Sequence, residues 1–172
     1  MTNREQWFHN HFNQIYSYIL LLVNDAHTAE DLTQETFLKA MKHEQTFKGQ
    51  SSVKTWLFRI AYTTTISYFR NKQPLTHFLD TALLRSKHDL SPEETTLLNA
   101  QQKEFYAALQ RLKPSYQQVI VLRKIQEFST LETATILAWT EGKVKMSLSR
   151  ALVAFKKELE KGGFTNETLF RR

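Results

Sequence analysis

Cationic and aromatic side chains are concentrated in one stretch, FKGQSSVKTWLFRIAYTTTISYFRNK (residues 47–72). It carries five Lys or Arg, six Phe, Tyr or Trp and no acidic residue, in a chain with 17 acidic residues. Polyanions repel carboxylates, and they bind Lys and Arg because binding releases condensed counterions. Aromatic rings stack on bases that have left a duplex, at about 1–3 kcal/mol per base. The composition is therefore typical of a surface for a polyanion with unpaired bases.

A second basic block follows later in the chain. Residues 101–161 hold 11 basic and 6 acidic residues, whereas residues 1–46 hold 3 and 6, and residues 73–100 hold 2 and 4. Two separate polyanion contacts would produce this alternation. On charge alone, charged helix faces exposed to solvent explain it equally well.

The composition indicates helices and no chemistry of catalysis. The chain has 172 residues, 41% of them hydrophobic, with 4 Gly, 3 Pro and no Cys. Scarce turn residues favour long helices over a many-stranded sheet. The six His are scattered without metal-ligand spacing, so we expect no metal site, no cofactor, no small-molecule substrate and no enzyme activity. The longest apolar run, YILLLV (18–23), is too short to span a membrane, and no signal peptide is recognisable. We expect a cytoplasmic protein.

Hydrophobic periodicity predicts an all-α fold of two small helical domains, 1–72 and 96–172, joined by a linker over 73–95. Helices are expected over 4–24, 25–42, 53–70, 92–112, 112–126, 129–137 and 141–161, with a further short one near 78–86. Asp25 or Thr28, Ser51 or Ser52, and Ser129 are candidate N-caps. The spacing of small and apolar residues across the last two helices predicts a helix-turn-helix. Its pattern comprises Ala134, Leu137, Trp139, Val144 and Leu148.

Four stretches together resemble one family. They are DAHTAEDLTQETFLKA (25–40), FKGQSSVKTWLFRIAYTTTISYFR (47–70), LKPSYQQVIVLRKIQEFSTLETATIL (112–137) and EGKVKMSLSRA (141–151). Their order and spacing are similar to the signature regions of extracytoplasmic-function (ECF) sigma factors, the small initiation subunits of bacterial RNA polymerase. The segment GQSSVKTWL further resembles the Bacillus-type sigma X branch.

The resemblance implies two promoter-reading domains and no catalysis. Residues 1–72 would dock on the clamp of core RNA polymerase and read the −10 promoter element. The second domain would read the −35 element and sit on the polymerase flap. An anti-sigma factor is a further implied partner, and such partners are often membrane-bound.

Three sets of site residues follow from the same resemblance. The polymerase-binding set is Asp31, Leu32, Gln34, Glu35 and Leu38. The −10 DNA set is Lys48, Ser51, Lys54, Trp56, Arg59, Tyr62, Thr63 and Arg70, while Leu57, Ile60 and Tyr68 are assigned to the core. The −35 DNA set is Arg123, Thr140, Lys143, Lys145, Met146, Ser149 and Arg150.

Some positions depart from the family pattern, and other functions fit parts of the sequence. The family often has Asn at Thr63, Ser at Met146 and Gly at Ala138, so the preferred promoter bases are not predicted. A stand-alone helix-turn-helix repressor or activator is the alternative, and it would not need residues 25–72. An adaptor that binds polymerase without DNA is more distant, because it leaves the basic stretch unexplained.

Overall fold

The first domain is a bundle of three helices. The computed structural model describes residues 3–72 and 100–163. Helices α1 (Asn3–Val23), α2 (Ala26–His43) and α3 (Val53–Lys72) form the bundle, with a 3₁₀ turn at Glu44–Thr46 between the last two. Asp25 caps α2 by accepting a hydrogen bond from the Thr28 amide at 2.8 Å. Ser52 caps α3 in the same way through the Thr55 amide, at 3.1 Å. Two N-cap candidates were predicted for each of these helices, and the structure selects Asp25 for α2 and Ser52 for α3.

Within residues 100–163, the second domain has four α-helices, of which the last two form a helix-turn-helix. These are α4 (Ala100–Arg111), α5 (Pro114–Ile120), which continues as a π-helix over Val121–Ile125, α6 (Thr130–Leu137) and α7 (Glu141–Lys161). Ser129 and Glu132 form a reciprocal capping box at the start of α6. Ala138 ends α6 in the left-handed conformation, with φ 53° and ψ 47°. The five residues of the predicted helix-turn-helix pattern all belong to the hydrophobic core or pack against it.

A buried contact joins the two domains. The ring of Phe58 in α3 meets that of Phe128, just before α6, edge-on at 4.7 Å between centroids. The buried Tyr18 hydroxyl donates to Gln118 Oε1 at 3.2 Å. The Gln110 side-chain amide donates to the carbonyl of Leu21 at 2.6 Å. The described residues therefore form one continuous core, with α1 and α3 packed on the second domain.

Secondary structure agrees closely with the sequence-based expectation. All regular structure in residues 3–72 and 100–163 is helical, as the all-α prediction requires. Leu57 is fully buried as predicted, whereas Ile60 and Tyr68 are only partly buried against the core. The predicted linker, the short helix near 78–86 and the predicted start of a helix at 92 lie outside the described residues.

Candidate nucleic-acid interface

Helix α3 presents one basic, hydroxylated face beside the second domain. Between its residues and the end of α6 lies an open cleft of about 330 Å³. Four of the predicted −10 residues line it. They are Arg59, Tyr62, Thr63 and Arg70, joined by Ile66, Ser67, Leu137 and Ala138. The structure thus brings half of the predicted −10 set to one place, because residues 59, 63, 66 and 70 recur at helical spacing.

Two cations of this face also contact the second domain. The Arg59 guanidinium donates to the Ile136 carbonyl at 2.8 Å and lies 5.7 Å from the Tyr62 ring centroid. The Lys54 ammonium lies 4.7 Å from the Phe128 ring centroid. Both side chains are only partly exposed. In this closed arrangement, two predicted DNA contacts are occupied by protein.

The loop before α3 carries the remaining −10 candidates. Lys48 is exposed, and Ser51 donates to the Ser52 carbonyl at 3.3 Å. Trp56 lies at the base of this loop, where its ring contacts those of Phe47 at 4.9 Å and Trp7 at 5.4 Å. Trp56 is therefore held by other rings instead of standing free for a base.

Six of the seven residues of the predicted −35 set lie at the N-cap or on the first three turns of α7, and the seventh, Arg123, lies in the π-helix over Val121–Ile125. Thr140 is the N-cap and accepts from the Lys143 amide at 3.2 Å. The Lys143 ammonium lies 4.3 Å from the Trp139 ring centroid. The following predicted contacts are exposed, namely Lys145, Met146, Ser149 and Arg150. Val144 and Ala151 on the opposite face are fully buried, so burial fixes the rotation of α7 and turns this set outward.

Arg123 has a structural role that sequence reasoning missed. Its guanidinium donates a hydrogen bond to the Phe128 carbonyl and closes the turn that leads into α6. Within that turn Glu127 has a positive φ of 58°, which is uncommon for a residue with a Cβ. Charge-assisted hydrogen bonds to a carbonyl are stronger than neutral ones. Arg123 therefore stabilises the turn, and its contact with DNA stays a prediction.

The predicted polymerase face of α2 is partly polar and partly apolar. Asp31 lies 3.7 Å from His27, and Glu35 pairs with Lys39 at 2.6 Å. Gln34 is exposed, and Leu38 is 62% exposed. Leu32 is 5% exposed and packs in the bundle core. Helical spacing puts it beside the buried Thr36, and its part in polymerase binding stays a prediction.

Two further exposed apolar residues, one on α1 and one on α2, were not in the predicted set. Met41 is 37% exposed and Phe8 is 48% exposed. The Phe8 ring packs on Phe37 at 5.1 Å, one turn before Met41. Large apolar side chains left exposed together are typical of interfaces. Periodicity alone could have placed Met41 one turn after Leu38, but exposure of Phe8 depends on the packing of α1 against α2.

The part of the chain that the structure describes offers no metal site and no membrane span. Within it, no group of three or more His, Asp or Glu is placed to hold a metal ion. No described helix is long and apolar enough to cross a membrane.

Both halves of the chain match family models. Sigma-70 region 2 matches residues 7–74, and Sigma-70, region 4 matches residues 102–155. The chain is 34% identical over 159 residues to ECF RNA polymerase sigma factor SigX of Bacillus subtilis, covering 89% of this chain and 81% of that protein. The chain is an ECF member of the sigma-70 family of RNA polymerase sigma factors. The predicted family is confirmed, and the stand-alone repressor is not favoured, since it leaves region 2 without a purpose.

A second relative agrees with this assignment to the sigma-70 family. RNA polymerase sigma factor YlaC of Bacillus subtilis is 33% identical over 160 residues, covering 91% of this chain and 92% of that protein. This identity is so close to that of SigX that the branch within the family stays a prediction.

Two solved structures share the fold. Sigma factor RpoE in complex with anti-sigma factor NepR, from Bartonella quintana, superposes with a TM-score of 0.71 at 22% identity, covering 93% of this chain and 98% of that one. CnrH in complex with the cytosolic domain of CnrY gives a TM-score of 0.68 at 21% identity, covering 92% and 88%. These likenesses confirm the two-domain helical fold. Sigma factors are regulatory proteins and not catalysts.

Proposed function

We propose that this sigma factor binds core RNA polymerase through α2, reads and opens the −10 element with α3 and its preceding loop, and reads the −35 element with α7. The observation that carries this proposal is the pairing of two surfaces in one chain: an acid-free basic helix and a helix-turn-helix with exposed cations. A chain with this division of labour is regulatory and has no catalytic site of its own. We propose that it acts in the cytoplasm, where RNA polymerase and the genome are found.

The acid-free helix suits strand opening. Melting a duplex loses about 1.4 kcal/mol of stacking per base step. Phosphate contacts from cations such as Arg59 and Arg70 offset part of this loss through counterion release. Capture of one or two unpaired bases offsets more, at about 1–3 kcal/mol each. The absence of carboxylates from residues 47–72 removes the repulsion that would oppose both effects.

The closed arrangement must open before both promoter elements are read. The −10 and −35 elements lie about 25 base pairs apart, which is about 85 Å of duplex at about 3.4 Å per pair. A compact chain of 172 residues is about 40 Å across. The 27 residues between Lys72 and Ala100 bridge at most about 90 Å of extended chain. The two domains therefore separate on the promoter, which also frees Lys54 and Arg59 from the second domain.

An anti-sigma factor is the remaining proposed partner. The similar fold of sigma factor RpoE is seen in complex with the anti-sigma factor NepR. A protein that contacts both domains at once would favour the closed arrangement, in which two of the proposed DNA contacts are engaged. Any ligand that binds one of two states shifts the balance by its difference in affinity.

Binding to core polymerase tests the proposed function. The purified chain is mixed with core RNA polymerase and separated by size-exclusion chromatography, with Leu38→Asp as the interface variant. Lys157→Asp, which changes the charge by −2 against −1 for Leu38→Asp, serves as a more severe charge control on an exposed site of α7. We expect wild type and Lys157→Asp to co-elute with polymerase and Leu38→Asp to bind at least tenfold more weakly, since a buried charge is costly. Failure of the wild type to co-elute, with tight binding to palindromic duplex DNA, would favour the repressor.

A further inference from the structure

Three aromatic rings from separate parts of the first domain meet at the base of the loop before α3. Trp7 lies in α1, Phe47 immediately precedes the loop, and Trp56 lies in the first turn of α3. The ring centroids of Phe47 and Trp56 are 4.9 Å apart, those of Trp7 and Trp56 are 5.4 Å apart, and those of Trp7 and Phe47 are 6.5 Å apart. All three residues are partly buried. We call this cluster the ring trio.

The loop is fixed at both ends and open between them. At one end Phe47 is held by the ring trio, and at the other Ser52 accepts a hydrogen bond from the Thr55 amide at 3.1 Å. Lys48 and Gln50 are exposed, and Gly49 has a φ of 67° with nothing within 4 Å of a Cβ built on it. Gly49 is thus required by backbone conformation and not by crowding. The result is a short turn that projects from a rigid base.

We infer that the ring trio positions the loop 48–52 for promoter DNA, and that Trp56 acts through this loop instead of stacking on a base. The Phe47 ring already lies tilted at 36° over Trp56, so a base that stacked on this face of Trp56 would have to displace Phe47. The loop tip, in contrast, is exposed and has no ring contact to lose. This inference rests on the proposed function, because it assigns a task to the loop within −10 recognition.

A loop held in advance favours strand opening for a general reason. Ordering a flexible segment at the moment of binding lowers affinity, and preorganisation avoids this loss. Small displacements of a group that must meet its target can reduce rates by a large factor. The ring trio links the loop to α1 and α3, two of the three helices that build the core. Disturbing the trio should therefore impair opening more than it impairs the binding of duplex DNA.

The test measures promoter opening by the complete holoenzyme. Permanganate reactivity of unpaired thymines, followed over time after mixing at saturating holoenzyme, reports the opening rate, and a gel-shift assay reports total promoter binding. We expect Phe47→Ala to lower the opening rate about tenfold with promoter binding changed less than twofold. Phe47→Tyr keeps the ring and should open like the wild type. Phe105→Ala, which loses the 5.2 Å ring pair with Phe155 in the second domain, controls for a general loss of stability.

A double variant separates positioning from direct stacking. If Trp56 acts through the loop, Trp56→Ala added to Phe47→Ala should give little further loss, because both changes release the same loop. If Trp56 stacks on a base, the two losses should multiply, and that result would overturn the inference. Normal opening by Phe47→Ala, or an equal defect in Phe105→Ala, would overturn it as well.

Different results would contradict the proposed function and the positioning role of the ring trio. If wild-type holoenzyme opens no promoter, the proposed function is wrong and the inference falls with it. If wild-type holoenzyme opens promoters and Phe47→Ala does so equally, only the positioning role of the ring trio is wrong.

Discussion

Replacing Phe128 with Ala should loosen the contact between the two domains and leave every proposed DNA contact in place. Phe128 is 2% exposed. Its ring meets Phe58 edge-on at 4.7 Å, and the Lys54 ammonium lies 4.7 Å from its centroid. Both partners belong to the first domain, whereas Phe128 belongs to the second. The substitution therefore removes contacts that exist only in the closed arrangement.

The magnitude follows from these two contacts. An aromatic pair contributes about 0.5–1.5 kcal/mol, and a cation over a ring contributes about 0.5–1 kcal/mol where partly exposed. Their loss makes closure less favourable by about 1–2.5 kcal/mol, so the ratio of open to closed chains rises about 5- to 60-fold at about 1.4 kcal/mol per tenfold. A buried Phe→Ala change costs about 3–5 kcal/mol in total. The remainder falls within the second domain and lowers its stability.

Distance and DNA affinity are both measurable on the free chain. Because the chain has no cysteine, Asn71→Cys in α3 and Lys157→Cys in α7 allow site-specific labelling with a donor and an acceptor dye. We expect Phe128→Ala to populate a low-transfer state and to bind a single-stranded −10 oligonucleotide about tenfold more tightly. The affinity rises because the fraction of binding-competent chains rises.

A matched variant tests whether a general loss of stability could produce the same result. Phe105→Ala also removes an edge-on ring pair, but both of its partners lie in the second domain. It should lower the urea midpoint without changing the transfer efficiency or the affinity for the oligonucleotide. Unchanged transfer and affinity in Phe128→Ala would refute the idea that closure limits access to α3.

Three further predictions concern α7, the turn before it and α1. Arg150→Ala should reduce the slope of log affinity for −35 duplex against log salt by about 1, since one phosphate contact is lost. Ala138→Gly should raise the free energy of unfolding by up to about 1 kcal/mol in a urea titration, because relief of a left-handed Cβ exceeds the added chain entropy. Burial lowers the pKa of His11 below 6.5, and the nearby charge of Lys54 lowers it further. The neutral imidazole is therefore favoured in the folded state. The stability that this preference contributes is present above pH 6.5 and is lost as the pH falls through the lower pKa of the folded state. His11→Gln should make the urea midpoint less sensitive to a change from pH 7.5 to 5.5.

Each of these has a result that would count against it. An unchanged salt slope in Arg150→Ala would place that side chain away from phosphates, and Lys157→Ala offers a basic control nearer the end of α7. A lower midpoint in Ala138→Gly would mean that chain entropy outweighs the relief of strain. Equal pH sensitivity of wild type and His11→Gln would show that other groups dominate.

Local structure could be read from the sequence because its signals are local. The apolar period of 3.6 set the helices to within about two residues, and the caps Asp25, Ser52 and Ser129 use side chains three residues from their targets. Helical spacing also placed Leu32 on the buried side of α2, although family resemblance had put it in the polymerase set.

Contacts between distant segments could not be read in this way. Phe58 meets Phe128 and Arg59 meets the Ile136 carbonyl across more than 65 residues of chain. Nothing near α3 in the sequence signals that its basic face is partly covered. The same is true of Trp56, whose partners Trp7 and Phe47 come together only when α1 and α3 pack. The DNA-contacting roles of these residues rest on resemblance and remain predictions.

Run-off transcription is the most direct test of whether this chain directs RNA polymerase to promoters. Core RNA polymerase is incubated with a library of genomic fragments, with and without the purified chain, and the transcripts are mapped. The account predicts discrete transcripts that require the chain and share two upstream elements about 25 base pairs apart, roughly the spacing that the separated domains must span. Polymerase that binds the chain but yields no dependent transcript would contradict promoter-directed initiation by this protein.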